Sequence, residues 1–255
     1  MANYSINHNL ILRYIPFTLG IFLVLIAFKI SSLSSSYQDR TKMEPTDKEQ
    51  SQMIKILALG DSYTIGEGVK QSERWPMQLA SQLRKDNLRV DTPRIIAVTG
   101  WTTTDLMSAI EKSRLEEQYD LVTLLIGVND QFQRYSEETY ASGFKKLLVK
   151  AIELAGGRPK RVIAISIPDY SVTPFGKRFG PARIRAEVDK FNEINKKIAT
   201  ENRVHYVNVT EISRRAAEDP TLLASDGLHP SAKMYTEWVE LTVPVARSML
   251  EESNN

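Results

Sequence analysis

Ile54–Ser62 reads IKILALGDS, an apolar run closed by glycine, aspartate and serine. A run this short, made of Ile, Leu and Ala and stopped by glycine, predicts a strand over 54–60 that is buried on both faces. The same pattern recurs down the chain. RIIAVTG (94–100), LVTLLIG (121–127), RVIAISIP (161–168) and RVHYVNV (203–209) predict four more strands.

Helical spacing fills the intervals. Trp75, Leu79 and Leu83 predict a helix over 74–86, and Leu106, Met107 and Ile110 predict one over 103–117. The segment 136–155 opens at Ser136, a good N-cap, and stops at Gly156-Gly157. Ile184, Val188, Phe191 and Ile198 mark the inner face of a helix over 181–202. A last helix covers 231–250, with a kink expected at Pro244. Five buried strands separated by helices predict a five-stranded parallel sheet covered on both faces. Right-handed crossovers make this a three-layer α/β/α sandwich. In such sheets functional groups collect beyond the carboxyl ends of the strands. Those loops hold Gly60-Asp61-Ser62, Thr99-Gly100-Trp101, Gly127-Val128-Asn129-Asp130 and Pro168-Asp169-Tyr170. Asp226-Gly227-Leu228-His229-Pro230 precedes the last helix and is expected at the same rim.

Upstream of this unit the composition changes. Tyr14 to Phe28 (YIPFTLGIFLVLIAF) carries no charge, with Arg13 before it and Lys29 after it. Its length lies at the border between a signal-peptide core and a bilayer span. Residues 1–30 are therefore expected to be a membrane segment, either a signal anchor or a signal peptide. Residues 31–52, Ser-rich and charged, read as a flexible linker. Residues 53–255 form the folded domain. The expected location is membrane-anchored or exported, with that domain outside the cytoplasm.

The 255 residues are 42% hydrophobic and 25% charged, ordinary for a globular chain, and the formal net charge of +2 argues against a nucleic-acid partner. The absence of cysteine excludes disulfides, thiolate metal sites and cysteine nucleophiles. Only His8, His205 and His229 can serve as an imidazole base. His205, in an alternating strand, reads as structural.

Taken singly, Gly-Asp-Ser is a turn with a helix cap, and Gly127-x-Asn129 is a turn. Together the loops supply what acyl transfer to serine needs: a nucleophile, a base, an orienting carboxylate and oxyanion donors. Ser62 is the candidate nucleophile, His229 the base and Asp226, three residues earlier, its orienter. The candidate donors are the Ser62 amide, the Gly100 amide and the Asn129 side chain. Tyr63, Trp101, Phe132 and Tyr170 are the candidate substrate-binding residues, with Ile65 and Phe175 nearby.

These four loops resemble the block motifs of the SGNH (GDSL-type) serine esterase and lipase superfamily over roughly residues 54–250. Gly60-Asp61-Ser62 is similar to its nucleophile block, Gly100 to its block glycine, Gly127-Val128-Asn129-Asp130 to its G-x-N-D block and Asp226-Gly227-Leu228-His229 to its D-x-x-H block. Two departures stand out. Tyr63 replaces the leucine of G-D-S-L, and the second block lacks the usual Asn/Gly-rich run before Gly100 and has Trp101 just after it. The resemblance implies a flavodoxin-like α/β/α domain, no metal or cofactor, and hydrolysis of carboxylic esters of the esterase, lipase, lysophospholipase or thioesterase type. The substrate would be a small-molecule, lipid or glycan ester. The competing readings are an acyltransferase or deacetylase acting on cell-envelope glycans, and a non-catalytic binding module of the same fold. G-x-x-x-x-G-K-[ST], G-x-G-x-x-G and G-x-S-x-G are all absent, so nucleotide binding and the α/β-hydrolase elbow are disfavoured. Gly66-x-Gly68 reads as flexibility after the nucleophile turn.

Overall fold

The computed structural model describes residues 53–115 and 118–251. Five strands, β1 (Ile56–Gly60), β2 (Arg94–Ala97), β3 (Leu121–Leu125), β4 (Val162–Ile165) and β5 (His205–Val207), form one sheet in the order β2-β1-β3-β4-β5. Every pairing is parallel, with Ile56 opposite Leu121 and Ile163 opposite His205. The central strands β1, β3 and β4 are buried at every residue, whereas the edge strands β2 and β5 each begin exposed. That is why the central three read as unbroken apolar runs.

The major helices are α2 (Trp75–Lys85), α3 (Thr103–Lys112), α5 (Glu137–Leu154), α6 (Pro181–Glu201) and α8 (Ala232–Glu251). Helix α2 packs on α8, while α5 packs on both α3 and α6, and these two groups make the outer layers. Trp75, Trp238, Tyr140 and Phe144 are among the largest wholly buried side chains. The expected three-layer sandwich is therefore present. Short helices α1 (Ser62–Ile65), α4 (Val128–Phe132) and α7 (Thr210–Arg214) follow β1, β3 and β5. Because β1 and β3 are neighbours while their crossovers leave in opposite directions, the chain reverses its winding between them. The crevice at such a switch point is the usual ligand position of this architecture.

Several boundaries differ from expectation for local reasons. The predicted helix over 103–117 stops at Lys112. The Ser113 hydroxyl donates to the Ala109 carbonyl at 2.7 Å and its amide turns to Ile110. A side chain that bonds back four residues competes with helix propagation. The strand expected over 94–100 ends at Ala97, which releases Val98, Thr99 and Gly100 to the rim. Helix α8 extends on both sides of Pro244, where the kink is expected. Pro244 and Glu240, whose carbonyl loses its partner, are both exposed, so water can satisfy that carbonyl. The predicted cap and stop of α5 are found. The Ser136 side chain accepts from the Thr139 amide, and Gly156 and Gly157 both take positive φ. Among the described residues no helix is long and apolar enough to cross a membrane. The expected membrane segment and linker lie outside the described residues.

Candidate active site

Gly60 closes β1 where no side chain would fit. A Cβ there would lie 2.2 Å from Thr64 Oγ1 and 2.5 Å from the Leu125 carbonyl oxygen. Asp61 then caps α1, its Oδ1 accepting from the Tyr63 amide at 3.0 Å. Ser62 occupies the first position of α1, 4% exposed, with its amide among the first-turn donors that have no intrahelical acceptor. Gly66 ends the helix at φ +73°. Gly68 is not a flexible spacer as expected. A Cβ on it would lie 2.8 Å from Ala224 Cβ and 3.4 Å from Asp226 Oδ2. Its small size lets the loop after α1 pack against the loop that carries Asp226.

On that second loop the spacing of three residues closes a tight ring of hydrogen bonds. Asp226 Oδ1 accepts from the Leu228 amide at 2.9 Å and the His229 amide at 3.0 Å, and Oδ2 meets His229 Nδ1 at 2.7 Å. Burial alone would raise the Asp226 carboxyl. The bonds from the His229 ring and the two amides outweigh burial, and its pKa lies below the ordinary value. Asp226 thus favours its anionic form, placed to accept a proton from His229 Nδ1, and a neutral ring oriented this way presents Nε2 as the acceptor. His229 is 9% exposed, and the Tyr63 ring meets it edge-on at 5.7 Å between centroids.

The third part comes from the loops after β2 and β3. Gly100 adopts φ +88°, and a Cβ on it would meet nothing within 4 Å, so glycine is required there by the backbone. Asn129, in the first turn of α4, donates one Nδ2 hydrogen to the Trp101 carbonyl at 2.9 Å. That bond fixes the amide plane and leaves a second hydrogen available. Asp130 ties the same two loops together below the surface, its carboxylate accepting from the Thr103 amide and from Thr103 Oγ1 at 2.6 Å. Gly127 precedes them at φ +131°, where a Cβ would strike Tyr140.

Ser62, Gly100, Asn129 and His229 line one cleft of about 150 Å³, together with Tyr63, Thr99, Val128, Phe132, Tyr170, Phe175 and Leu228. Asp226 stands behind His229, outside the lining. Trp101, expected to touch substrate, is not in the cleft wall; its half-buried ring packs against the core. Ile65 is likewise not in the wall. His205 lies exposed on edge strand β5, which supports neither a catalytic nor a packing role. Thr99, Val128 and Leu228, which the sequence places in the rim loops without a role of their own, also line the wall. A larger groove of about 580 Å³, flanked by α2 and α8, contains none of the site residues. Among the described residues no cluster of three or more His, Asp or Glu could hold a metal ion.

Beneath the cleft, burial changes one acid. Loss of water pushes the Asp61 carboxyl from the ordinary 3.8 up to about 8; the Tyr63 amide pulls against this and the Asp130 charge adds to it. Its Oδ2 has no hydrogen-bond partner. At neutral pH Asp61 is therefore a neutral acid inside the fold and an anion in the unfolded chain. Between about 4 and about 8 the folded state binds the extra proton, so stability falls as pH rises through that window. Asp61→Asn keeps a neutral group of the same shape. It should flatten this part of the slope when melting temperature is followed against pH. Identical slopes in the two proteins would mean that Asp61 is ionised in the fold.

The GDSL-like lipase/acylhydrolase family matches residues 58–236, a span that contains all four loops. No curated protein matches the chain. Among solved structures, the lipase/acylhydrolase from Enterococcus faecalis is 22% identical with a TM-score of 0.61, covering 77% of this chain and 96% of that one. TesA is 19% identical with a TM-score of 0.61, covering 77% of this chain and 99% of that one. Axe2, an acetylxylan esterase from Geobacillus stearothermophilus, is 20% identical with a TM-score of 0.57, covering 76% and 94%. At these identities the likeness speaks for the fold.

Proposed function

Since the chain belongs to the GDSL-like lipase/acylhydrolase family, we propose that it cleaves carboxylic esters through an acyl-enzyme on Ser62, with His229 as the base and Asp226 as its orienter. The supporting observation is the 2.7 Å contact between His229 Nδ1 and Asp226 Oδ2, made at the edge of the cleft that Ser62, Gly100 and Asn129 also line.

The chemistry runs in two halves. Ser62 Oγ attacks the substrate carbonyl carbon as its proton passes to His229 Nε2. The carbonyl oxygen becomes an oxyanion and accepts from the Ser62 amide, the Gly100 amide and the free Asn129 Nδ2 hydrogen. When the tetrahedral species collapses, the bond to the alcohol oxygen breaks and His229 returns the proton to that oxygen. Water then attacks the acyl carbon and gives a proton to His229. The second collapse expels Ser62 Oγ, which regains the proton, and the carboxylic acid leaves. Asp226, held anionic, offsets the charge of the imidazolium in both halves.

The cleft wall is dominated by Val128, Phe132, Tyr170, Phe175 and Leu228, which suits the hydrocarbon part of an ester. A fluorophosphonate probe tests the assignment of the nucleophile. One equivalent should attach, and peptide mass spectrometry should find it on Ser62. A chain that hydrolyses esters while carrying the adduct elsewhere, or none, would refute the proposal.

A further inference from the structure

Beyond the cleft wall the apolar surface continues. Phe132 at the mouth is 46% exposed, and Phe179, outside the lining, is 43% exposed. Phe179 packs on Phe175 at 4.8 Å and edge-on to Phe132 at 5.8 Å, while Phe175 reaches back to Tyr170 at 6.3 Å between centroids. The rings therefore form one unbroken strip from beside Asn129 out to solvent.

We infer that the Tyr170–Phe175–Phe132–Phe179 strip is an extended acyl site, which makes Phe179 a determinant of preference for long-chain esters; this rests on the ester-hydrolase reading above. Continuity with the nucleophile cleft identifies the occupant. The carbonyl oxygen belongs at Gly100 and Asn129, and the alcohol oxygen must face His229 to take its proton. The wall carrying Phe132, one helical turn beyond Asn129, is then left for the acyl chain.

The chemistry of the strip favours hydrocarbon over a sugar. Three of its four members have no polar atom in the side chain. The fourth, Tyr170, has its hydroxyl committed to Gln131 Oε1 at 2.8 Å, and Gln131 Nε2 donates in turn to Glu187 at 2.6 Å. No side chain of the strip has a hydrogen-bond donor left to offer a glycan. The guanidinium of Arg178 lies over the Phe175 ring at 5.4 Å and shields it on one side.

The strip is also rigid, as a preformed site should be. Thr173 Oγ1 donates to the Tyr170 carbonyl at 2.8 Å and accepts from the Gly176 amide at 3.0 Å. Gly176 is obligatory, since a Cβ there would lie 2.0 Å from the Tyr170 carbonyl oxygen. Arg183 Nη2 donates to the Phe179 carbonyl at 2.8 Å and holds the outer end.

The test is a p-nitrophenyl ester series on the full chain, from acetate through butyrate and octanoate to decanoate. Wild-type kcat/KM should rise with chain length. Phe179→Ala should leave acetate, too short to reach the ring, within about twofold, and lower decanoate by roughly tenfold. Phe179→Leu, which keeps apolar bulk, should restore most of the loss. A uniform loss across the series would assign Phe179 a structural role and overturn the inference, as would a profile unchanged by the substitution. A parallel acetate series with growing alcohols gives the remaining outcome. If the Phe179→Ala loss tracked alcohol length, the strip would hold the leaving group. Failure to cleave any ester, with no label on Ser62, would overturn the parent reading as well; cleavage and labelling with a flat chain-length response would overturn only the strip.

Discussion

Ser62→Ala is expected to lower kcat for ester hydrolysis by roughly 10⁴- to 10⁶-fold while leaving the fold intact. In the proposed mechanism the Ser62 hydroxyl oxygen forms the acyl bond, and the neighbouring Thr99 is a poor substitute, being on another loop with its Oγ1 bound to Glu67 at 2.6 Å. Stability should hardly move. The cap of α1 belongs to Asp61, and alanine suits the first turn of a helix. A loss within about 0.5 kcal/mol by denaturant unfolding is expected. Residual activity should survive from the Gly100 and Asn129 donors, which do not depend on the hydroxyl. Steady-state kinetics on a short p-nitrophenyl ester decides the matter: a kcat within tenfold of wild type would remove Ser62 from the mechanism.

His229→Ala should be about as damaging as Ser62→Ala, because without a base the serine hydroxyl stays protonated at its ordinary pKa. Combining the two substitutions should cost little more than either alone, since nucleophile and base act as one unit. Asp226→Ala is expected to be milder, at roughly 10⁴-fold, because the imidazole remains but loses its fixed tautomer and its counter-charge. Its structural effect should exceed that of Ser62→Ala. Asp226 Oδ1 accepts from two backbone amides, and the loop would be left with both unpaired. His205→Ala serves as the control, since that side chain is exposed on an edge strand. Were His205→Ala the more damaging histidine variant in kcat, the base would be misassigned.

What could be read in the sequence follows the range of the forces involved. Strand and helix positions follow from the burial of side chains two, three or four residues apart, so IKILALG and LVTLLIG were legible as buried strands and Ser136 as a cap. The Asp226–His229 pair was legible because both members sit on one turn, close enough for the carboxylate to bond the ring and its own backbone. Helix ends were less legible, since the Ser113 hydroxyl competes with its amide in a way that periodicity does not register.

The strand order, by contrast, is a matter of which segments the chain lays side by side, and no local pattern carries it. Only when β1 and β3 become neighbours do Ser62 and Asn129 line one cleft. The same holds for Trp101. Its position beside Gly100 suggested a substrate contact, yet its half-buried ring packs against the core, and it is its carbonyl that meets the site, by accepting from Asn129. Gly68 owes its identity to the loop of Asp226, and Asp61 owes its raised pKa to burial over β1 and to Asp130 from another loop. Phe179 joins Phe132 and Phe175 because a tight turn at Gly176 and the Arg183 bond bring it there. Residue type and local spacing thus determined which chemistry this chain can attempt. Tertiary packing decided which of those residues face the cleft and which acid loses its charge, because desolvation and ring contacts depend on neighbours distant in the chain.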